Sequence, residues 1–228
     1  QPTRSILFLC DENTIPYNLI YVDARKLETR KPDFLQLFPV GLVPAINDDG
    51  FRVTEGAAIL QYLCEKHQLS SWYPLGFDKL EAIQARAKIN FWLHWHHSNL
   101  RHSTRTILVP YHYPPKGLTK EEAISKGVKD YGRAMKYVEN YLKQRHENVD
   151  PNKRIFLCSD DTPTIADLLV LPEIDQLNSE AFNLYDYSPY PNVLRWLNAC
   201  QTSLKSYEKN FSFVKKESKV WTGMPARK

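Results

Sequence analysis

Three short stretches of this sequence hold residue types whose order could do chemistry. Val43-Pro44 heads a β-branched segment. Proline donates nothing to a sheet ladder, so it belongs at a strand end, an edge or a bulge. Two readings are open: a trans proline starting an edge strand, or a cis bond in a tight turn, which would turn the Val43 N–H and C=O toward an extended peptide. Thr54-Glu55-Gly56-Ala57-Ala58-Ile59 reads as a strand-to-helix junction. A helix N-terminus offers free N–H groups and partial positive charge to a carboxylate. Gly56 admits a ligand close to the backbone and Glu55 can pair with an ammonium, which suits the zwitterionic end of an amino acid. An ordinary helix cap fits the same residues. Thr164-x-x-Asp167, with Leu168-Leu169-Val170-Leu171 behind it, is a reciprocal helix cap whose role is folding.

Other chemistries find little support. Cys10, Cys64, Cys158 and Cys200 are widely spaced, without a CxxC pair or a histidine at zinc spacing. They are expected to be reduced thiols, with no disulfide framework and no metal. The net charge of +4 is modest, and its densest stretch is Lys215, Lys216, Lys219, Arg227 and Lys228. Such a run reads as a solvated end, so nucleic acid is not an expected partner. With 43% hydrophobic and 25% charged residues the chain is of globular type. No apolar run approaches the roughly 20 residues of a membrane helix, and no basic-then-apolar leader opens the chain. A cytoplasmic protein without a membrane partner is the expectation.

The elements that must position these residues fall into two parts. Residues 1–68 read as α-β-α-β-β-α. Pro2 suits the first turn of a helix running to about Cys10; Tyr17–Asp23 is β-branched and aromatic enough for a strand; Lys31–Phe38 is a short amphipathic helix. Val43–Asn47 and Phe51–Thr54 form a hairpin around Asp48-Asp49-Gly50, and Glu55–His67 is a helix. Residues 69–78 read as a linker. From 79 to 228 the periodicity is helical: one helix from Lys79 to about Leu108 broken by Val109-Pro110, a second from Thr119 with an acidic first turn to about Arg145, a third from Thr164, and a fourth from Pro191 to about Ser203.

The ordered set resembles the cytosolic glutathione transferases, the theta class most closely. The segments are Gln1-Pro2-Thr3-Arg4, Ile15-Pro16, Val22-Asp23, Val43-Pro44, Asp49-Gly50-Phe51, Thr54-Glu55 and Ala58–Leu63, then Trp72-Tyr73-Pro74, Ala85-Arg86-Ala87, Leu93-His94-Trp95-His96, Arg101 and Thr164–Asp167. The resemblance implies an α/β thioredoxin-like domain followed by an all-helical domain. It implies glutathione as co-substrate: Val43, before a cis Pro44, paired with the cysteinyl part, and Glu55 with the Gly56 N–H at the γ-glutamyl end. Leu42 lies on the same rim, and Arg30, then Lys31, is the candidate for the glycyl carboxylate. Arg101 matches a theta-class arginine that assists the thiolate or an anionic substrate. Trp92, Trp95, His96, Arg101 and Arg105 would face a small hydrophobic electrophile. The implied activity is conjugation, or reduction of an organic hydroperoxide, in a homodimer. A non-catalytic interaction module on the same fold is the alternative.

Several departures bear on this. Gly56 stands where most members have serine, forgoing one hydroxyl donor, a bond of about 1.5–3 kcal/mol when made to a charged group. Thr29 stands near a usual theta-class histidine. In theta enzymes the segment like Gln1–Arg4 follows a first strand and the catalytic serine, so both are expected upstream of Gln1. Ser5 is the nearest hydroxyl here apart from Thr3, and it lies one helical turn in.

Overall fold

A single apolar helix organises the molecule. In the computed structural model, which describes residues 1–76, 78–147, 149–150, 153–178 and 180–222, every residue from Ile165 to Asp175 is buried. A run such as Leu168-Leu169-Val170-Leu171 is hydrophobic on all sides, and a helix of that kind must lie in the interior. The other elements pack round it.

In chain order these are α1 (Pro2–Glu12), α2 (Pro32–Leu37), β1 (Ala45–Asp48), β2 (Phe51–Thr54), α3 (Gly56–Lys66), α4 (Leu80–Trp95), a π-turn (His96–Leu100), α5 (Arg101–His112), α6 (Lys120–His146), α7 (Ile165–Asp175), α8 (Pro191–Ser203) and α9 (Tyr207–Thr222). Helices α1, α3, α4, α8 and the π-turn all meet α7. Large side chains fill the centre, among them Phe8, Trp92, Tyr131, Phe156 and Trp196.

The expected hairpin is present. β1 and β2 pair antiparallel with Ala45 opposite Thr54 and Asp48 opposite Phe51. Asp49 and Gly50 both have positive φ, 50° and 95°, as a two-residue turn matched to strand twist requires. Tyr62 on α3 donates to Asp48 at 2.7 Å and packs its ring against Phe51, fastening hairpin to helix.

Three expectations need correction. Tyr17–Asp23 forms no strand. A strand needs a neighbour to pair its backbone groups, and among the described residues the sheet consists of β1 and β2 alone. The helix expected from Lys79 to Leu108 is interrupted by the π-turn. Nor does Val109-Pro110 end it: α5 continues to His112 with Pro110 inside. In that last turn the loss of one N–H is tolerated. In the stretch read as a linker, Trp72 donates its ring N–H to Asn13 and the Pro74 carbonyl accepts from Arg86. Arg227 and Lys228 of the basic tail, and the side chain of Lys219, lie outside the described residues.

Candidate functional site

Two loops of the N-terminal part converge on one rim. The Val43–Pro44 bond is cis, leading from an exposed Leu42 and Val43 into β1. Among the described residues no backbone hydrogen bond occupies Val43. Gly41 turns the chain before it at a φ of 65°, and a Cβ there would stand 2.8 Å from the Arg30 guanidinium and 3.0 Å from the Thr29 carbonyl. Glycine is therefore required twice over at this position, by sign of φ and by space. Arg30 is exposed and within 3.5 Å of the Val40 carbonyl. Lys31 is paired with Glu28 at 3.5 Å.

On the second loop Glu55 precedes α3 with φ 72° and ψ 119°. A residue with a Cβ avoids that region, at a cost of order 1–3 kcal/mol, and such outliers gather at ligand clamps. The Glu55 side chain is exposed and does not cap its own helix. Gly56 is buried: a Cβ there would meet Pro2 at 3.1 Å, Leu169 at 3.5 Å and Pro44 at 3.8 Å. Pro44 and Gly56 flank the open end of the hairpin, where Ala45 pairs with Thr54, and lie side by side. The missing serine now has a packing reason as well, because a side chain here must displace Pro2.

Pro2 also links this rim to Arg101. The Arg101 guanidinium donates to the Gln1 side-chain carbonyl and lies 3.4 Å from Glu173 Oε1 on α7. His96 Nε2 stands 3.2 Å from the same oxygen. Burial by itself would raise the Glu173 carboxyl, but Arg101 and His96 outweigh it and hold it down at about 2. Its other oxygen has no partner among the described residues.

The helical residues expected around a substrate separate. Trp92 is core, His96 and Arg101 reach inward to Glu173, and Arg105 is exposed. Trp95 lines a cavity of about 350 Å³ with Asn99, His102, Asp130, Arg133 and Tyr137. Its indole stacks on the Tyr137 ring at 5.1 Å. Ser5 is fully buried in α1 and its hydroxyl has no partner among the described residues.

Sequence reading missed two groups of α7. Glu173 has just been described. Asp175 takes the Arg4 guanidinium at 3.3 Å and the Tyr207 hydroxyl at 2.7 Å. A signal was available: three acids, Asp167, Glu173 and Asp175, in an otherwise apolar helix must each have a partner, since unpaired buried charge is very costly. Burial pushes the Asp175 carboxyl up to about 6 despite Arg4 and Tyr207. In the unfolded chain the same group titrates near 3.8. Between those values the folded protein holds a proton that the unfolded chain does not, so the contribution of Asp175 to stability grows as pH falls through that window. Glu173 acts in the opposite sense, losing stability as pH falls from 4.5 toward 2. In urea denaturation at pH 7 and pH 5, the wild type is expected to gain on Asp175→Asn as the pH drops. A difference between the two that does not move with pH would refute this.

All four cysteines are free, and three are buried. Burial pushes the thiols of Cys10 and Cys64 up to about 11 and 12, the reverse of an activated nucleophile. Among the described residues no cluster of histidine, cysteine, aspartate or glutamate could hold a metal, and no helix is long and apolar enough to cross a membrane.

With this geometry established, comparison with known proteins gives one answer. Residues 3–66 match the family model of the glutathione S-transferase N-terminal domain. Human glutathione S-transferase theta-2B is 30% identical over 192 residues, covering 83% of this chain and 72% of that protein. Glutathione S-transferase T3 of Arabidopsis thaliana is 30% identical over 206 residues, 86% of this chain. The chain spans only 32% of the length of that protein. Among solved structures, a delta-class glutathione transferase of Nilaparvata lugens superposes with a TM-score of 0.79 over 98% of this chain and 95% of that one, at 24% identity, a likeness of fold.

Proposed function

This chain belongs to the cytosolic glutathione S-transferase family and is theta-like within it, and from that premise we propose that it binds glutathione at the Val43–Glu55 rim and conjugates it to electrophilic apolar compounds in the cytoplasm. The observation that carries the reading is the backbone of Glu55, at φ 72° on an exposed residue beside cis Val43–Pro44. That conformation costs stability and its side chain caps nothing, and an amino-acid zwitterion is the ligand it suits. Val43 would pair through its backbone with the cysteinyl part, the first N–H groups of α3 and the Glu55 carboxylate would take the γ-glutamyl end, and Arg30 the glycyl carboxylate. Leu42 would border that peptide. Arg101 would supply positive charge from the helical side. The electrophile would lie against residues 79–228, toward Trp95, with Arg105 at its outer edge.

A homodimer is part of the proposal. Leu80, Ile83 and Phe91 are exposed along α4, and Phe51 is exposed on the hairpin, an apolar surface of the kind that oligomers cover.

The test is retention of the full-length protein on immobilised glutathione, followed by turnover of aryl and alkyl halides. Glu55→Gln removes the charge that would face the ammonium group. A hydrogen bond to a charged group is worth about 1.5–3 kcal/mol, so glutathione affinity should fall roughly tenfold to a hundredfold. Absence of both retention and turnover in the wild type would sink the proposal.

A further inference from the structure

Arg101 and His96 are five residues apart, and in a regular α-helix five residues turn the side chain to a position about 140° away. The two would then face different neighbours. Here one π-turn, His96–Leu100, lies between α4 and α5. Its bonds span i to i+5, one residue more than an α-turn, so each residue turns the chain through a smaller angle and Arg101 comes back closer to the line of His96. The result is visible in the distances: His96 Nε2 at 3.2 Å and Arg101 at 3.4 Å from the same oxygen, Oε1 of Glu173. His96 and Glu173 are buried, while the Arg101 side chain keeps 26% of its surface exposed. Only one terminal nitrogen of Arg101 is used, for Glu173 and Gln1. The other terminal nitrogen and Nε take no hydrogen bond among the described residues, leaving one side of the fork for an anion.

Resting on the reading of Arg101 given above, we propose that His96, Glu173 and the π-turn are a positioning device that holds the Arg101 guanidinium with its free donors toward the glutathione edge. Glu173 is anchored on the most deeply buried helix of the protein, so it offers Arg101 a fixed partner. His96 holds the same Glu173 oxygen at 3.2 Å and so limits the rotation of the carboxylate. The π-turn is what allows one carboxylate oxygen to serve both. Neither His96 nor Glu173 need touch a substrate.

The test uses the full chain and two readouts. Phenylglyoxal labelling of Arg101, followed by peptide mass spectrometry, reports how firmly the guanidinium is held, independently of catalysis. It should quicken severalfold in Glu173→Gln and in His96→Leu, and stay at the wild-type rate in His96→Gln, which keeps a donor to Glu173. Turnover of glutathione with an alkyl halide should fall about tenfold in Glu173→Gln, the scale of a misplaced catalytic group, and scarcely further when that change is added to Arg101→Ala. Unchanged labelling, or losses that simply multiply in the double variant, would overturn the positioning role. If Arg101→Ala alone left turnover intact, the functional reading of Arg101 would fall, while the labelling would still decide whether it is positioned. Should Glu173→Gln not fold, the His96→Leu and His96→Gln pair decides the matter by the same labelling.

Discussion

Gly127→Ala is expected to destabilise the protein by about 2 kcal/mol, measured as a lower midpoint in urea at unchanged slope. A Cβ at this position in α6 would stand 2.5 Å from the Thr106 carbonyl oxygen, 2.6 Å from its carbon and 2.8 Å from its hydroxyl. These are mostly backbone atoms of α5, which cannot rotate aside, so one helix must move. Overpacking of this kind costs typically about 1–3 kcal/mol and occasionally more. Against it stands a gain of about 1 kcal/mol for alanine over glycine inside a helix, and the clash wins because it is made with main chain. Gly132→Ala in the same helix is the control: its Cβ meets the Tyr185 hydroxyl at 3.1 Å and the Tyr190 hydroxyl at 3.9 Å, the far ends of side chains that can move. That variant should match or exceed the wild type. If Gly127→Ala behaved like Gly132→Ala, the close approach of α5 and α6 would be wrong.

The same spot shows why a sequence reading placed the helix break too early. Pro110 has no N–H for the Thr106 carbonyl four residues back, which argues for a stop at Val109. What the local rule omits is that Gly127 brings α6 against that very carbonyl, so packing sustains α5 to His112. The π-turn was illegible for a related reason. Nothing in Trp95–Arg101 marks the extra residue, and the oxygen that His96 and Arg101 share belongs to Glu173, over seventy positions later in the chain. By contrast, the Asp49–Gly50 hairpin, the start of α3 and the cap at Thr164 were readable, since each is decided by neighbours in sequence. The rim residues Val43, Pro44, Glu55 and Gly56 could be picked out as a set, and the hairpin register brings them together; what could not be read is the packing of Gly56 beside Pro2 and Leu169.

Asp167→Ala is expected to cost more still, about 4 kcal/mol, followed through far-ultraviolet circular dichroism in urea. The Thr164-x-x-Asp167 cap is present: the Asp167 carboxylate accepts from the Thr164 N–H at 2.8 Å and its hydroxyl at 3.0 Å. A lost cap alone is worth only about 0.5–2 kcal/mol. The other oxygen raises the cost, because it accepts from the Leu157 N–H at 2.8 Å and the Trp196 ring N–H at 2.9 Å, both from distant parts of the chain. Asp167 and Trp196 are fully buried, so alanine strands three N–H donors without water, at about 1–3 kcal/mol each before relaxation. One term runs the other way. Burial raises the Asp167 carboxyl, and its four hydrogen bonds do not fully offset that, so removing the charge recovers part of its desolvation. The stranded donors outnumber that recovery. Asp167→Asn separates the two effects, since it discards the charge and keeps one acceptor; it should fall between wild type and alanine. An alanine variant within about 1 kcal/mol of wild type, less than a single orphaned donor, would show that α7 is not held in the core by this carboxylate, and with it would go the view that each of the three buried acids of α7 fastens a different element to the helix at the centre.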